Sequence, residues 1–242
     1  MLAPASSSKP PRYSVAIMCF NERESLEEVI ARTLDVMNRS GDPFEVLIVN
    51  DGSTDGSGEL ADTLARAHAE VRVCHHPTNL GIGATLMDGY QRTTGEFAVI
   101  LPADLQFSPD DLPRAFEKAL NADVVVVHRD GRRDSWIRKM ISLVDQTLVC
   151  LLFGLWMSDL HWVRVYRRSI LDAVSIQCRT PMVDTELLVK AKWLGARIEE
   201  MSLPHYARYA GTSTGANLKR LVRTFADLIK LRWGVSAARP TR

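Results

Sequence analysis

Three features of the sequence predict an α/β fold, a mostly parallel sheet flanked by helices. Short apolar runs alternate with segments of helical period. Several runs are apolar almost without interruption, as in strands buried on both faces. Polar and glycine-rich residues follow the runs directly, where a parallel sheet places its ligand-facing loops.

Each element follows from the pattern. Ser14 to Phe20 (SVAIMCF) is the first strand. Ser25 to Met37 spaces Leu26, Val29, Ile30, Leu34 and Met37 at a helical period. Phe44 to Val49 is a strand, Glu59 to Ala69 a helix and Val71 to Cys74 a strand. Ala84 to Arg92 is a helix, Phe97 to Leu101 a strand, Pro109 to Leu120 a helix and Asp123 to Val127 a strand. The second half is less regular. Trp136 to Leu155 is helical and unusually apolar, and Trp162 to Tyr166 is a short strand. Asp184 to Leu194 is a helix closed by Gly195, Ile198 to Leu203 a strand, and Leu218 to Trp233 an amphipathic helix.

Composition restricts the function classes. The 242 residues suit one large domain, without a repeat or a separating linker. A net charge of +1 gives no global attraction to nucleic acid. Cys19, Cys74, Cys150 and Cys178 contain no CxxC pair, so the cysteine spacing of a metal site is absent. Two of them lie in apolar runs, which points to buried free thiols and a cytoplasmic setting. Residues 1–12, rich in Ser, Pro and Ala, form a disordered lead-in. The charge-free stretch from Thr147 to Met157 is too short to cross a bilayer.

Three segments carry chemistry. In VLIVNDGSTDGS, Val46 to Ser57, a strand runs into a tight turn that exposes Asp51, whose carboxylate can accept hydrogen bonds from a base or ribose. Asp55 and Ser53 can cap the next helix, so a capped turn without a ligand explains the same residues. In NLGIGA, Asn79 to Ala84, glycines before a helix permit close approach of backbone to a ligand, or simply make a turn. In ILPADLQ, Ile100 to Gln106, Asp104 and Gln106 can both face a hard cation. Helix capping is the other use of such residues, but Ser108 and Asp110 already serve the next helix.

CFNERESLEEVI, VLIVNDGSTDGS, NLGIGATLMDGYQRTTGEF and ILPADLQFSPDDLP, in this order, resemble the family-2 glycosyltransferases of the GT-A fold, a Rossmann-like architecture. Within that family they look most like the dolichol- or polyprenyl-phosphate sugar synthases. The resemblance spans Tyr13 to Ser213, which gives a catalytic domain over residues 13–213 and a basic helix and tail over 214–242. It implies that Asn21, Glu22, Asp51, Gly81 and Asp104 hold a nucleotide-sugar donor. It also implies that Asp104 and Gln106 hold Mg2+ or Mn2+ on the diphosphate. One position departs from the pattern: Pro102 stands where the motif's first Asp would be, and proline offers no ligand.

The second half matches more loosely. Asp159, in the segment that ends in YRR, is a catalytic carboxylate or a turn residue after a helix. Glu186, before an apolar helix, is the alternative base or a carboxylate on a helix dipole. Arg129, Arg164 and Arg208 fit phosphate, Arg208 through its place in a loop that resembles the family's R..G.S segment. His205 is more readily a packed or surface histidine than a metal ligand.

Two features favour a lipid-phosphate acceptor at the cytoplasmic membrane surface. The stretch from Met140 to Met157 is more apolar than a surface helix needs. From His205 onward the sequence has Arg208, Lys219, Arg220, Arg223, Lys230, Arg232, Arg239 and Arg242 against one acid, Asp227, the pattern of a basic helix on an anionic membrane or of a terminal helix packed on the domain with a solvated basic face. The competing readings are a transferase acting on a saccharide or other hydroxyl, and a nucleotide-sugar-binding protein without catalysis, the latter motivated by Pro102. A Rossmann dehydrogenase is disfavoured because no GxGxxG follows the first strand.

Overall fold

The computed structural model describes residues 10–130, 136–159, 162–178, 180–206, 229 and 231–233, with only the backbone of 137–139, 141 and 145. Its centre is a seven-stranded sheet in the order β3-β2-β1-β4-β6-β5-β7. The strands are β1 (Tyr13–Cys19), β2 (Phe44–Asn50), β3 (Val71–His75), β4 (Phe97–Pro102), β5 (Val124–Asp130), β6 (Arg164–Arg167) and β7 (Ile198–Pro204). All neighbours pair in parallel except β6, which runs antiparallel to both β4 and β5.

The helices are α1 (Arg23–Ser40), α2 (Ser57–Ala67), α3 (Ile82–Arg92), α4 (Leu112–Ala119), α5 (Trp136–Phe153), α6 (Arg168–Ala173) and α7 (Val183–Trp193). They cover both faces of the sheet. Val15, Ile17, Val46 and Ile48 point into one core with Leu26, Val29 and Ile30 of α1. Ala16, Leu47 and Val49 point into the other with Leu86 of α3 and Leu187 and Leu188 of α7. The alternation of strand side chains between two apolar layers is why the central strands read as uninterrupted apolar runs.

The structure refines the sequence reading in three places. The stretch after β4 begins as a 3-10 turn, Pro109–Asp111, before α4 starts at Leu112, with the Asp110 N–H donating to the Ser108 hydroxyl. The strand expected at Trp162–Tyr166 forms at Arg164–Arg167, antiparallel to its neighbours. The short helix α6 follows it without a periodicity long enough to mark it. Most of the amphipathic helix expected over Leu218–Trp233 lies outside the described residues, as does Arg208. Among the described residues no helix is long and apolar enough to cross a membrane.

Candidate active site

The carboxyl ends of the parallel strands finish level with one another. Cys19 is in register with Asn50, Asn50 with His75, and Met18 with Pro102. Backbone bonds extend this row by one residue. The N–H of Asp51 donates to the Cys19 carbonyl, that of His76 to Asn50, and that of Ala103 to Met18, at 2.8–3.0 Å. The chemistry-bearing residues after β1, β2, β3 and β4 therefore gather on one rim.

Asp51 is the centre of the first cluster. Its side chain is 6% exposed. Oδ1 accepts from the Leu80 N–H at 2.8 Å and Oδ2 from the Gly81 N–H at 2.9 Å, while His76 Nδ1 lies 2.7 Å from Oδ1. The carboxylate thus shapes the turn that leads into α3, and places that turn beside the end of β2. Gly52 makes the approach possible. It sits at φ +68°, and a Cβ there would stand 2.4 Å from the carbonyl carbon of Thr78. Gly81, at φ +88°, begins α3.

Asn21 and Glu22 tie the end of β1 to the same loop system. Asn21 has φ +54°; its Oδ1 accepts from the Thr54 N–H at 2.8 Å, and its own N–H donates to the Ser53 hydroxyl at 3.0 Å. The Glu22 N–H donates to Ser57 Oγ at 3.1 Å, and Asp55 accepts from the Arg23 N–H at 3.1 Å. Asp55 also accepts from the Ser57 N–H and hydroxyl at the first residue of α2, whose N-cap position is Gly56. Burial works to raise the Asp55 pKa, but these donors outweigh it and hold the carboxyl below its ordinary value. Burial pushes the neighbouring Cys19 thiol up to about 11, an inert position.

The second cluster starts at β4. Asp104, 4% exposed, accepts the Gln106 N–H at 3.0 Å, and Leu105 between them takes φ +58°. The Gln106 carbonyl accepts the Tyr206 N–H at 3.1 Å, so the segment after β7 lies against this turn. His205 packs its ring edge against Trp162 at 5.0 Å. Over the same Trp162 ring lies the Arg129 guanidinium, 4.9 Å away. Arg129 in turn grips Asp159 with two bonds, Nε to Oδ2 at 2.6 Å and Nη2 to Oδ1 at 3.2 Å. Trp162 thereby joins the ends of β5 and β7, a role no sequence pattern signalled, and Tyr206 ties the turn after β4 to them.

Two other candidates lie deeper. Arg164 has no side-chain exposure and pairs with Asp184 at 2.9 Å. Burial alone would lower its pKa, but Asp184 and nearby groups outweigh that and hold it above its ordinary value. Glu186 is fully enclosed. It accepts the N–H groups of Gln177 and Cys178 and lies 2.6 Å from Lys190 Nζ. These contacts brace the segment before α7. Sequence reasoning also missed His76; a His-His pair at the carboxyl end of β3, His75 turned to one face and His76 to the other, was the signal available.

A fold of this class, with its polar residues collected on the carboxyl rim, agrees with the family comparison. Residues 14–174 match the model of glycosyl transferase family 2, and the chain belongs to that family. It is a glycosyltransferase by that membership. Among solved structures it is similar to glucosyl-3-phosphoglycerate synthase from Mycobacterium tuberculosis, in complex with Mn2+, uridine diphosphate and glucosyl-3-phosphoglycerate. That match has a TM-score of 0.68 and 18% identity, over 91% of this chain and 78% of that one. It is also similar to a mannosyltransferase from Pyrobaculum calidifontis in complex with GDP-Man and Mn2+, with a TM-score of 0.63 and 20% identity, over 92% of this chain and 65% of that one.

Proposed function

We propose that this glycosyltransferase moves a sugar from a nucleotide-sugar donor to a polyprenyl phosphate at the cytoplasmic membrane surface, with a divalent cation. The observation that carries the acceptor assignment is the outward face of α5. Trp136 and Leu151 are 74% and 78% exposed, and Met140, Leu143 and Val144 about half exposed. Trp156, just beyond the helix, is exposed as well. A soluble domain rarely leaves so much contiguous apolar side chain in water, and a lipid acceptor in a bilayer would cover it.

The state of the carboxylates supports the same acceptor. A hydroxyl nucleophile needs a general base, whereas a phosphate oxygen already carries negative charge. Both base candidates are committed elsewhere, Asp159 to Arg129 and Glu186 to Lys190 and two backbone N–H groups. In the lipid-phosphate reading Arg129 faces the acceptor from the rim, with Arg208 as its partner in charge, and Asp159 sets the guanidinium's orientation.

On the donor side, the Leu80–Gly81 turn held by Asp51 offers backbone to the nucleoside, with Asn21 and Glu22 fixing the adjoining loop. Similar folds have been solved with uridine diphosphate and Mn2+ and with GDP-Man and Mn2+. The oxygen donors of Asp104 and Gln106 suit a hard cation, although Pro102 removes one ligand of the usual set. Bound there, a cation would stabilise charge on the departing nucleoside diphosphate.

The test incubates the protein with radiolabelled nucleotide sugars, Mg2+ or Mn2+ and short polyprenyl phosphates, and counts label in the organic phase. Chelator-sensitive label there is the expected result. Nucleotide release with only a water-soluble product would replace the acceptor by a hydroxyl. No turnover of any donor would leave a binding protein.

A further inference from the structure

Behind Asp51 lies a group of side chains that donor binding does not require. Cys74 of β3, His76 just after it and Asp88 of α3 place a sulfur, a ring nitrogen and a carboxylate oxygen within 4.8 Å of one another. Cys74 lies in β3 and His76 one residue past its end, two positions on, and both side chains turn toward α3.

The orientation of the imidazole is the decisive observation. A carboxylate only accepts, so His76 Nδ1, 2.7 Å from Asp51, carries the proton of that bond. On the other side of the ring, Nε2 lies 2.9 Å from Asp88 Oδ2, so the imidazole stands between two carboxylates. A hydrogen bond closes that contact without a metal, and a cation bound beside the ring would take the place of its proton. A hydrogen bond from a carboxylate to the far nitrogen of a histidine is also what orients metal-binding imidazoles in general. Asp51 already makes that bond.

We propose that Cys74, His76 and Asp88 form a zinc site, with a water as fourth ligand. Thiol, imidazole and carboxylate together match the ligand preference of Zn2+. Tetrahedral ligands about 2.0–2.3 Å from zinc stand about 3.3–3.8 Å apart, so on binding the widest gap closes by about 1 Å while His76 Nε2 and Asp88 Oδ2, 2.9 Å apart, open by about 0.4 Å. Asp88 is 20% exposed at the side chain and Cys74 is half-buried, which leaves a way in. Arg92, 3.3 Å from the other oxygen of Asp88, stays paired with it. Binding exchanges the Cys74 S–H for S–Zn and displaces the proton shared by His76 Nε2 and Asp88, and both protons go to solvent. Burial holds the free thiol above its ordinary pKa, so without the ion it remains protonated. The ion would pin β3 to α3 and, through His76, stiffen Asp51 and the Leu80–Gly81 turn. The site rests on β3 and α3 alone and not on the donor or acceptor assignment.

The probe is Co2+, added to the metal-free full-length protein. The expected result is one equivalent bound with a thiolate-to-cobalt charge-transfer band. Cys74→Ser abolishes the band, Asp88→Asn weakens binding at least tenfold, and Asp104→Asn leaves the band in place. In the unmodified protein, Zn2+ slows alkylation of Cys74 at least tenfold, read by mass spectrometry; this arm decides even if a variant fails to fold. No band, a band that survives Cys74→Ser, a band lost in Asp104→Asn, or alkylation indifferent to zinc would overturn the site and leave His76 held by a second proton only.

Discussion

Strand β2 begins and ends at buried carboxylates that do different work. Glu45, near its start, accepts from the Ser14 hydroxyl at 2.6 Å, from the Thr94 N–H and hydroxyl, and from the guanidinium of Arg72. Asp51, directly after its end, accepts from two backbone N–H groups and meets an imidazole. Glu45 has a permanent counter-ion and rigid neighbours within the sheet. Asp51 has only backbone dipoles and a histidine, and what it holds is a turn. Equal burial therefore does not mean equal purpose: the amino end of the sheet closes the fold, and the carboxyl end positions loops.

Substitutions can break that contrast. The largest expected effect is on stability at the closed end. Glu45→Ala strands Arg72 beside a buried cavity and should cost about 3–5 kcal/mol in urea unfolding. The donor KM of whatever folded protein remains should be unchanged; a raised KM would erase the distinction between the two ends. Gly52→Ala comes next. A Cβ there meets backbone at 2.4 Å from a left-handed conformation, so a loss of about 2 kcal/mol is expected together with a raised donor KM.

Asp51→Asn keeps the shape, removes the charge and turns one of the two accepting oxygens into an NH2 that faces an N–H donor. We expect unfolding to shift by about 1–3 kcal/mol and donor KM to rise about tenfold with kcat little altered. A variant that loses stability as Glu45→Ala does would show that Asp51 is also a structural brace. The smallest effect is in acid. Burial would raise the Glu45 pKa, but Ser14, Thr94 and Arg72 outweigh it and hold the carboxyl below its ordinary 4.5. Its contribution is therefore complete above pH 4.5 and is lost as pH falls through the lower folded value. Wild-type stability should decline more steeply than that of Glu45→Gln below pH 4.5, measured by thermal unfolding across an acid series.

The exposed face of α5 can be tested separately. Leu151→Ser with Trp156→Ser should lower turnover of polyprenyl phosphate presented in vesicles several-fold, while turnover of a short, detergent-dispersed acceptor stays the same. An equal loss in both formats would remove the membrane role of the α5 face.

The sequence alone determined the layered α/β plan. Apolar runs and helical periods are local, and burial on both sheet faces writes them without interruption into β1, β2 and β5. It also located the polar residues after each strand, because a parallel sheet puts all those positions on one rim. It did not foresee the antiparallel insertion of β6. Strand direction depends on which neighbour supplies the hydrogen bonds, and a four-residue strand carries no mark of it. Only the tertiary structure decided the partners of the charged groups. Asp159 meets Arg129 across 30 residues, Arg164 meets Asp184 in the interior, and Cys74, His76 and Asp88 converge from a strand and a helix. Spacing along a chain encodes periodicity within one element. The distance between side chains on different elements is fixed by how those elements pack, and no local pattern records it.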